Sequence, residues 1–261
     1  MLDLKRTSAQ AIHYLLNHFP CVAILGARQV GKTTLLKQVL PDAPLFDLER
    51  RSDIERISHD PDFFLSQQRV PVIIDEAQRL PELFPALRVA IDNQRHVNGR
   101  FLLSGSSSPD LVNHINESLA GRIAIFELGG LSLNEAWQKP LSPAYELMAK
   151  NDIAGLQDLN ARYTVDQLLE SCLFGSYPEP FLKYRADRTA FGLWMENYIQ
   201  SYLNRDVRIL FPGLNFTAYQ RFVSMLAAAS GQILNASEFA RSLDVSQPTV
   251  KSYFHIAAGT F

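Results

Sequence analysis

One stretch near the N-terminus has the residue types and the spacing of a phosphate-binding loop. It consists of Gly26, Ala27, Arg28, Gln29, Val30, Gly31, Lys32, Thr33 and Thr34. It matches G-x-x-x-x-G-K-[ST], in which glycines let several backbone N–H groups point at phosphate oxygens beside the positive end of a helix. We expect Lys32 to reach the β and γ phosphates of a nucleotide, Thr33 to bind Mg²⁺ and Thr34 to donate near the α phosphate. The alternative is a glycine turn that only opens a helix.

Two adjacent acids, Asp75 and Glu76, follow an apolar run that predicts a strand. Side chains alternate along a strand, so the two carboxylates diverge where the strand ends. We assign Asp75 to the Mg²⁺ shell, through water, and Glu76 to polarising the water that attacks the nucleotide. The pair therefore predicts hydrolysis, and the alternative is a pair of surface acids at a strand end.

Two further residues are candidates for contact with the terminal phosphate. Ser104 follows an apolar run, and it would point toward the γ phosphate as a sensor if its strand lies between the loop strand and the Asp75 strand. Ser106 is the rival, and a serine that only ends a strand is the other reading. Arg122 could reach a phosphate in the same subunit or in a neighbouring one, or it could be a solvated arginine. The predicted catalytic set is thus Lys32, Glu76, Ser104 and Arg122.

The elements that must position these residues alternate between short apolar runs and helical patterns over residues 1–130. Strands are predicted at 22–25, 45–48, 70–74, 101–103 and 123–126. Helices are predicted to start near Lys32, Ser52, Pro81 and Pro109, and Pro41 stops the first. This alternation predicts an α/β fold, a parallel P-loop NTPase sheet with flanking helices.

The rest of the sequence predicts two helical parts. Residues 131–212 form a helical segment, because apolar residues recur three and four positions apart in 165–173 and 191–202. Residues 213–261 form a helix-turn-helix, in which Asn235 and Glu238 make a capping box and residues 244–246 make the turn. A wing strand would begin near residues 257–261, so we expect a winged helix-turn-helix truncated before its wing.

Composition sets the remaining limits. The chain has 261 residues, a net charge of −2 and a pI near 6.3, which allows about 1.7 domains of roughly 150 residues and gives no global field for nucleic acid or anionic membrane. No apolar run approaches the roughly 18 residues of a bilayer span. The two cysteines and the dispersed histidines match no disulfide or metal pattern. We expect a cytoplasmic protein that carries no metal except the Mg²⁺ of its nucleotide.

Several motifs together resemble a bacterial and archaeal family of AAA+ ATPases with a C-terminal domain of unknown function. They are the loop at 26–34, Asp-Glu-Ala-Gln at 75–78, Leu-Ser-Gly-Ser at 103–106, Leu-Ala-Gly-Arg at 119–122, Tyr-Pro-Glu at 177–179 and Tyr-Leu-Asn-Arg-Asp-Val at 202–207. The resemblance implies ATP as the nucleotide, a strand inserted between the loop strand and the acid strand, and Glu76 as the water-polarising residue. Chains of this family normally continue beyond the helix-turn-helix, so the resemblance implies a truncated chain.

The leading hypothesis is an ATPase whose nucleotide state repositions the helix-turn-helix, which contacts DNA or a protein. A GTPase would need an N-K-x-D motif, and the sequence has no Asn-Lys pair. A P-loop kinase commonly lacks the acid pair and has a lid with several arginines, which we cannot locate. An ATP-dependent switch or protein-interaction module with little turnover stays open, as does assembly into an oligomer.

The nature of the C-terminal partner also stays open. Ser246, Gln247, Thr249 and Lys251 could face a DNA major groove. Residues 231–261 nevertheless carry two basic and two acidic side chains, and DNA affinity depends on several cationic contacts to phosphate. Contact with DNA and, as the alternative, contact with a protein or internal packing are therefore both kept.

Overall fold

A computed structural model describes residues 4–68, 71–106, 109–208 and 211–260. Within them lies a parallel sheet of five strands in the order β2-β3-β4-β1-β5. The strands are β1 (Cys21–Leu25), β2 (Leu45–Asp47), β3 (Val72–Asp75), β4 (Phe101–Gly105) and β5 (Ile123–Glu127). All five strand predictions are confirmed to within two residues at each end, although Val70 lies outside the described residues. Since β4 lies between β1 and β3, the expected inserted strand is also confirmed.

The sheet is buried on both faces, as a parallel sheet usually is. Cys21, Ala23 and Leu25 of β1 pack into one apolar cluster, whereas Val22 and Ile24 pack into the opposite one. This alternation follows from the two-residue period of a strand. The phosphate-binding loop therefore follows a strand that is covered on both faces and paired along both edges.

Helices cover the two faces of the sheet. They are α1 (Ser8–His18), α2 (Lys32–Val39), α3 (Arg51–Ser58), α4 (Pro61–Ser66), α5 (Leu83–Asn93) and α6 (Pro109–Leu119), with a 3₁₀ turn at Ala77–Arg79. The four predicted helices begin within two residues of the expected positions. The sequence reasoning missed α1, which buries Ile12 and Leu16, and α4, which begins with Pro61 and is capped by Asp60.

The chain then becomes helical, as predicted. The helices are α7 (Leu133–Ala136), α8 (Ala144–Ala149), α9 (Ile153–Gln157), α10 (Val165–Phe174), α11 (Pro178–Tyr184) and α12 (Arg188–Ser201), followed by a π-helical turn at Tyr202–Val207. The apolar stripe of α10 does not form a core. Val165 and Leu169 are 71% and 62% exposed, and only Phe174 of this helix is buried.

Three helices close the chain: α13 (Phe216–Ala228), α14 (Ala236–Leu243) and α15 (Gln247–Thr260). They pack around Tyr219, Phe222 and Tyr253. Asp244 makes the turn between α14 and α15 with a φ of 55°. A wing strand was expected to begin near residues 257–261, where we expected the chain to be truncated; residues 257–260 instead continue α15, so the winged helix-turn-helix is not confirmed, and Phe261 lies outside the described residues. The helix continues because Ile256 and Ala257 extend the buried face of Val250 and Tyr253.

Candidate functional site

The phosphate-binding loop connects β1 to α2 and depends on its two glycines. A Cβ on Gly26 would lie 2.4 Å from the carbonyl oxygen of Leu128, and Gly31 has a φ of 96°. Gly31 is the N-cap of α2, so it has no side chain to accept hydrogen bonds from the first backbone N–H groups of that helix. Val30 is buried and anchors the loop in the core. The arrangement leaves backbone donors for an anion at the start of α2.

The side chain of Lys32 folds back along this loop. Its Nζ donates to the carbonyl oxygens of Gly26 and Ala27 at 3.0 and 2.9 Å. Burial lowers the pKa of Lys32, while the nearby carboxylates of Glu76 and Asp75 act in the opposite direction. The structure thus brings the lysine predicted from the motif together with the two predicted acids.

Asp75 joins three elements at the carboxyl edge of the sheet. Its Oδ2 accepts from Thr33 Oγ1 at 2.6 Å, and its Oδ1 accepts from the hydroxyl of Ser104. A carboxylate and a hydroxyl are hard oxygen donors, the kind that Mg²⁺ prefers when phosphates supply other ligands. The residues predicted to hold the metal, Thr33 and Asp75, therefore fit it, and Ser104 lies beside them.

Glu76 leaves the strand in an unusual conformation. Its φ and ψ are 57° and 45°, a left-handed geometry that costs a residue with a side chain about 1–2 kcal/mol. Its backbone N–H donates to Ser104 Oγ at 3.3 Å, and its Oε2 accepts from Gln78 Nε2 at 2.6 Å. The same Gln78 nitrogen lies 3.3 Å from Ser106 Oγ. Gln78 links the predicted water-polarising acid to Ser106, the residue that follows β4, and the sequence reasoning gave it no role.

Arg122 lies elsewhere. It precedes β5, at the edge where the parallel strands begin, whereas the loop follows the edge where they end. Five residues of strand separate these edges by about 13 Å. Its guanidinium makes a bidentate pair with Asp92 at 2.8 and 2.9 Å, which lowers the pKa of that carboxyl. Arg122 therefore lies away from the loop of its own subunit, and contact with a phosphate of a neighbouring subunit stays a prediction.

A cavity of about 420 Å³ lies beside the loop and is large enough for a small ligand. Its lining comes from the loop, from the chain after β5, from the turn before α11 and from α15. The lining residues are Gly26, Ala27, Val30, Glu127, Leu128, Gly129, Gly130, Ser176, Tyr177 and Ala258. The hydroxyls of Tyr177 and Tyr198 lie 2.7 Å apart, and the Tyr198 ring stacks on Trp194. The C-terminal helix thus contributes to the same cavity as the phosphate-binding loop.

The sequence reasoning also missed Arg6, a buried arginine that contacts Val30 of the loop, Gly129 and Gly130 after β5, and Glu135. No local pattern marks Arg6, because its partners lie 24 to 129 positions away in the sequence. Gln78 had a signal, since it lies two residues after Glu76.

Two family models match separate parts of the chain. One describes an AAA domain and matches residues 18–137, and the other describes a domain of unknown function (DUF8612) and matches residues 165–261. Uncharacterized proteins of Mycobacterium tuberculosis and Mycobacterium bovis are each 36% identical over 255 residues, which is 97% of this chain and 51% of theirs. The chain spans about half the length of these curated relatives.

Among solved structures, the Walker-type ATPase PABY2304 of Pyrococcus abyssi matches with a TM-score of 0.53 and 16% identity. The match covers 97% of this chain and 96% of that one. At this level of identity the likeness concerns the fold alone. Among the residues that the structure describes, no helix has the length and apolar character needed to cross a membrane.

Proposed function

Because this chain is an AAA-type P-loop protein with a C-terminal domain of unknown function, we propose that it binds ATP with Mg²⁺ and hydrolyses it. The observation that carries the proposal is the meeting of Thr33, Asp75 and Ser104 beside the phosphate-binding loop. A loop alone would support nucleotide binding. The carboxylate of Asp75 and the hydroxyls of Thr33 and Ser104 add the oxygen ligands and polar contacts that phosphate cleavage needs.

Each residue of the site has a role in this proposal. The backbone N–H groups of the loop and the ammonium of Lys32 bind the phosphates, and Thr33 and Asp75 hold Mg²⁺. When bound, Mg²⁺ neutralises charge on the β and γ oxygens. Glu76 orients the attacking water and accepts its proton at the carboxylate. Ser104 reports on the terminal phosphate through its hydrogen bond to Asp75.

We also propose that the nucleotide state is coupled to the C-terminal helices. In this scheme residues 1–130 are the ATPase unit, 131–212 the helical segment and 213–261 the helix-turn-helix. The coupling is supported by the shared cavity, which is lined by Tyr177 and Ala258 as well as by the loop residues Gly26 and Ala27. A change of ligand in that cavity would act directly on the end of α15.

Substitution of Glu76 by glutamine tests hydrolysis. We expect ATP binding to persist while turnover falls by about 10²–10⁴, because the amide cannot accept the proton of the attacking water. ATP binding is measured by calorimetry, and phosphate release is measured with excess Mg²⁺. Intact turnover in Glu76→Gln would contradict the mechanism.

An ATP-dependent switch with little turnover is the second candidate, and the bond from Gln78 to Glu76 favours it. The bond engages the carboxylate that hydrolysis requires. If this contact restrains Glu76, Gln78→Ala will raise turnover without changing ATP affinity. Slow turnover in the unsubstituted chain together with faster turnover in Gln78→Ala would support the switch.

The partner of the C-terminal helices is either DNA or a protein. Within residues 231–261, Arg241 and Lys251 are balanced by Glu238 and Asp244, so we expect weak DNA binding that disappears as salt is raised. Electrophoretic mobility of a DNA duplex at several salt concentrations tests this. Negligible binding at low salt would exclude the DNA partner and leave the protein partner.

A further inference from the structure

Arg6 is a buried cation that the proposed hydrolysis does not use. It is 8% exposed, and its guanidinium donates in three directions. Nη1 donates to the carbonyl oxygen of Val30 at 2.8 Å, Nη2 to those of Gly129 and Gly130 at 2.8 and 3.1 Å, and Nε to Glu135 Oε1 at 3.1 Å. The planar fork of an arginine allows these contacts at once.

The carbonyl partners of Arg6 belong to two different walls of the 420 Å³ cavity. Val30 lies in the phosphate-binding loop, whereas Gly129 and Gly130 follow β5. The second wall is also held by Ser176, which lines the same cavity. The N–H of Leu131 donates to the Ser176 carbonyl at 2.6 Å, and a Cβ on Gly130 would lie 2.1 Å from Ser176 Oγ. Arg6 therefore bridges two walls of the cavity, and the wall at Gly129 and Gly130 is also held in place by its contacts with Ser176.

The contact of Arg6 with Val30 also affects the direction of a backbone N–H group of the phosphate-binding loop. A trans peptide bond is planar, so its C=O and N–H point in opposite directions. The bond that fixes the Val30 carbonyl therefore fixes the direction of the Gly31 N–H, one of the backbone groups at the start of α2. Arg6 controls this donor from behind the loop.

Glu135 keeps Arg6 in place. Its Oε1 also accepts from the backbone N–H and the hydroxyl of Thr7 at 2.7 and 3.0 Å, and its Oε2 accepts from the Ser132 N–H at 2.9 Å. Burial favours a higher pKa for this carboxyl, but the bonds from Ser132 and Thr7 and the charge of Arg6 together lower it. The ion pair is thus a fully hydrogen-bonded one that folding can tolerate.

We propose that Arg6 is a positioning residue that fixes the spacing of the two cavity walls and the direction of the Gly31 N–H, and thereby sets the affinity for ATP. This inference rests on the proposed nucleotide binding at the same loop. An ordinary structural ion pair would affect stability alone. The hydrogen bonds of Arg6 go to Val30, Gly129, Gly130 and Glu135 and not to Thr33, Asp75 or Glu76, so its effect falls on binding rather than on the chemical step.

Arg6→Lys is the discriminating variant, because lysine keeps the charge opposite Glu135 but lacks the fork that reaches both walls. We expect its Kd for MgATP and for MgADP, measured by calorimetry, to rise about tenfold, as loss of a wall contact predicts. We expect kcat to change by less than about twofold, because the lost contact stabilises the bound substrate and the transition state equally. The Tm of each variant is recorded alongside.

Arg100→Lys is the matched control. Arg100 also donates to a backbone carbonyl, that of Ala90 at 2.7 Å, and packs on the Phe101 ring, but it lies at the opposite edge of the sheet. We expect a comparable loss in Tm and an unchanged Kd. Arg6→Met combined with Glu135→Gln removes both charges together, which avoids an unpaired buried charge if Arg6→Lys folds poorly. We expect it to weaken ATP binding as well.

The outcomes separate the two proposals. If the unsubstituted chain does not bind MgATP, the proposed function fails and this inference fails with it. If the unsubstituted chain binds and both Arg6 variants bind equally well, only the role of Arg6 is overturned. A rise in Kd shared by Arg100→Lys would likewise overturn it, because the effect would then follow general stability.

Discussion

Replacing Gly26 by alanine tests how closely the phosphate-binding loop must pass the chain that follows β5. The new Cβ would lie 2.4 Å from the Leu128 carbonyl oxygen. Leu128 is itself held, because its N–H donates to the Leu25 carbonyl at 2.7 Å. The two backbone segments would have to separate by about 1 Å to restore ordinary contact.

Forced overpacking of this kind typically costs about 1–3 kcal/mol. We expect the free energy of unfolding of Gly26→Ala, measured by urea denaturation, to fall by that amount. Displacement of the loop also misdirects its N–H groups, so the affinity for MgATP measured by calorimetry should fall at least about tenfold.

Gly192→Ala in α12 is the matched control. A Cβ added to Gly192 would have free space around it, because none of the described residues places a neighbouring atom within 4 Å apart from the helix's own backbone. An alanine in a helix is expected to stabilise the fold by up to about 1 kcal/mol and to leave ATP affinity unchanged. If Gly26→Ala has the same free energy of unfolding and the same affinity for MgATP as the unsubstituted chain, the close approach to Leu128 does not fix the position of the loop.

Three further predictions address other parts of the molecule. Arg122→Ala should leave turnover within about twofold, because its partner Asp92 lies away from the loop; a large loss that depends on protein concentration would instead indicate action on a neighbouring subunit. Because the folded pKa of Glu135 is lowered, its carboxylate stabilises the fold above about pH 4.3 and the effect is lost as the pH falls through the folded value. The free energy of unfolding of Glu135→Gln, measured with urea, should depend less on pH in that acidic range than that of the unsubstituted chain. An equal dependence on pH in the two proteins would contradict this. Burial raises the pKa of the Cys21 thiol, so a thiol reagent should label exposed Cys172 in the native protein and Cys21 only after unfolding, as peptide mass mapping would show.

The parts of the site that could be predicted from the sequence are those with a local pattern. The loop motif combines glycine spacing with a preceding strand, and Asp75 and Ser104 each end an apolar run. Because the strands are parallel, such strand ends meet at one edge of the sheet. The same rule would have placed Arg122 at the other edge, since it precedes its strand.

The missed and mistaken parts depend on contacts that are distant in sequence. Arg6 and Glu135 are 129 positions apart, and nothing in either neighbourhood indicates the other. The stripe of α10 has helical spacing, but spacing cannot tell whether another element covers it; Leu169 and Leu173 remain 62% and 52% exposed. The start of a wing was misplaced at residues 257–260, because burial of Ile256 and Ala257 favours more helix there.

The central position of β1 has a consequence for how a ligand enters and leaves. β1 pairs along its whole length with β4 on one side and β5 on the other, and its residues are 2% exposed or less. Its amide hydrogens should exchange with solvent only through global unfolding. The loop thus follows a strand that we expect to exchange slowly, so if the proposed nucleotide uses the cavity, the motion that admits and releases it would fall to the helical wall around Tyr177 and Ala258.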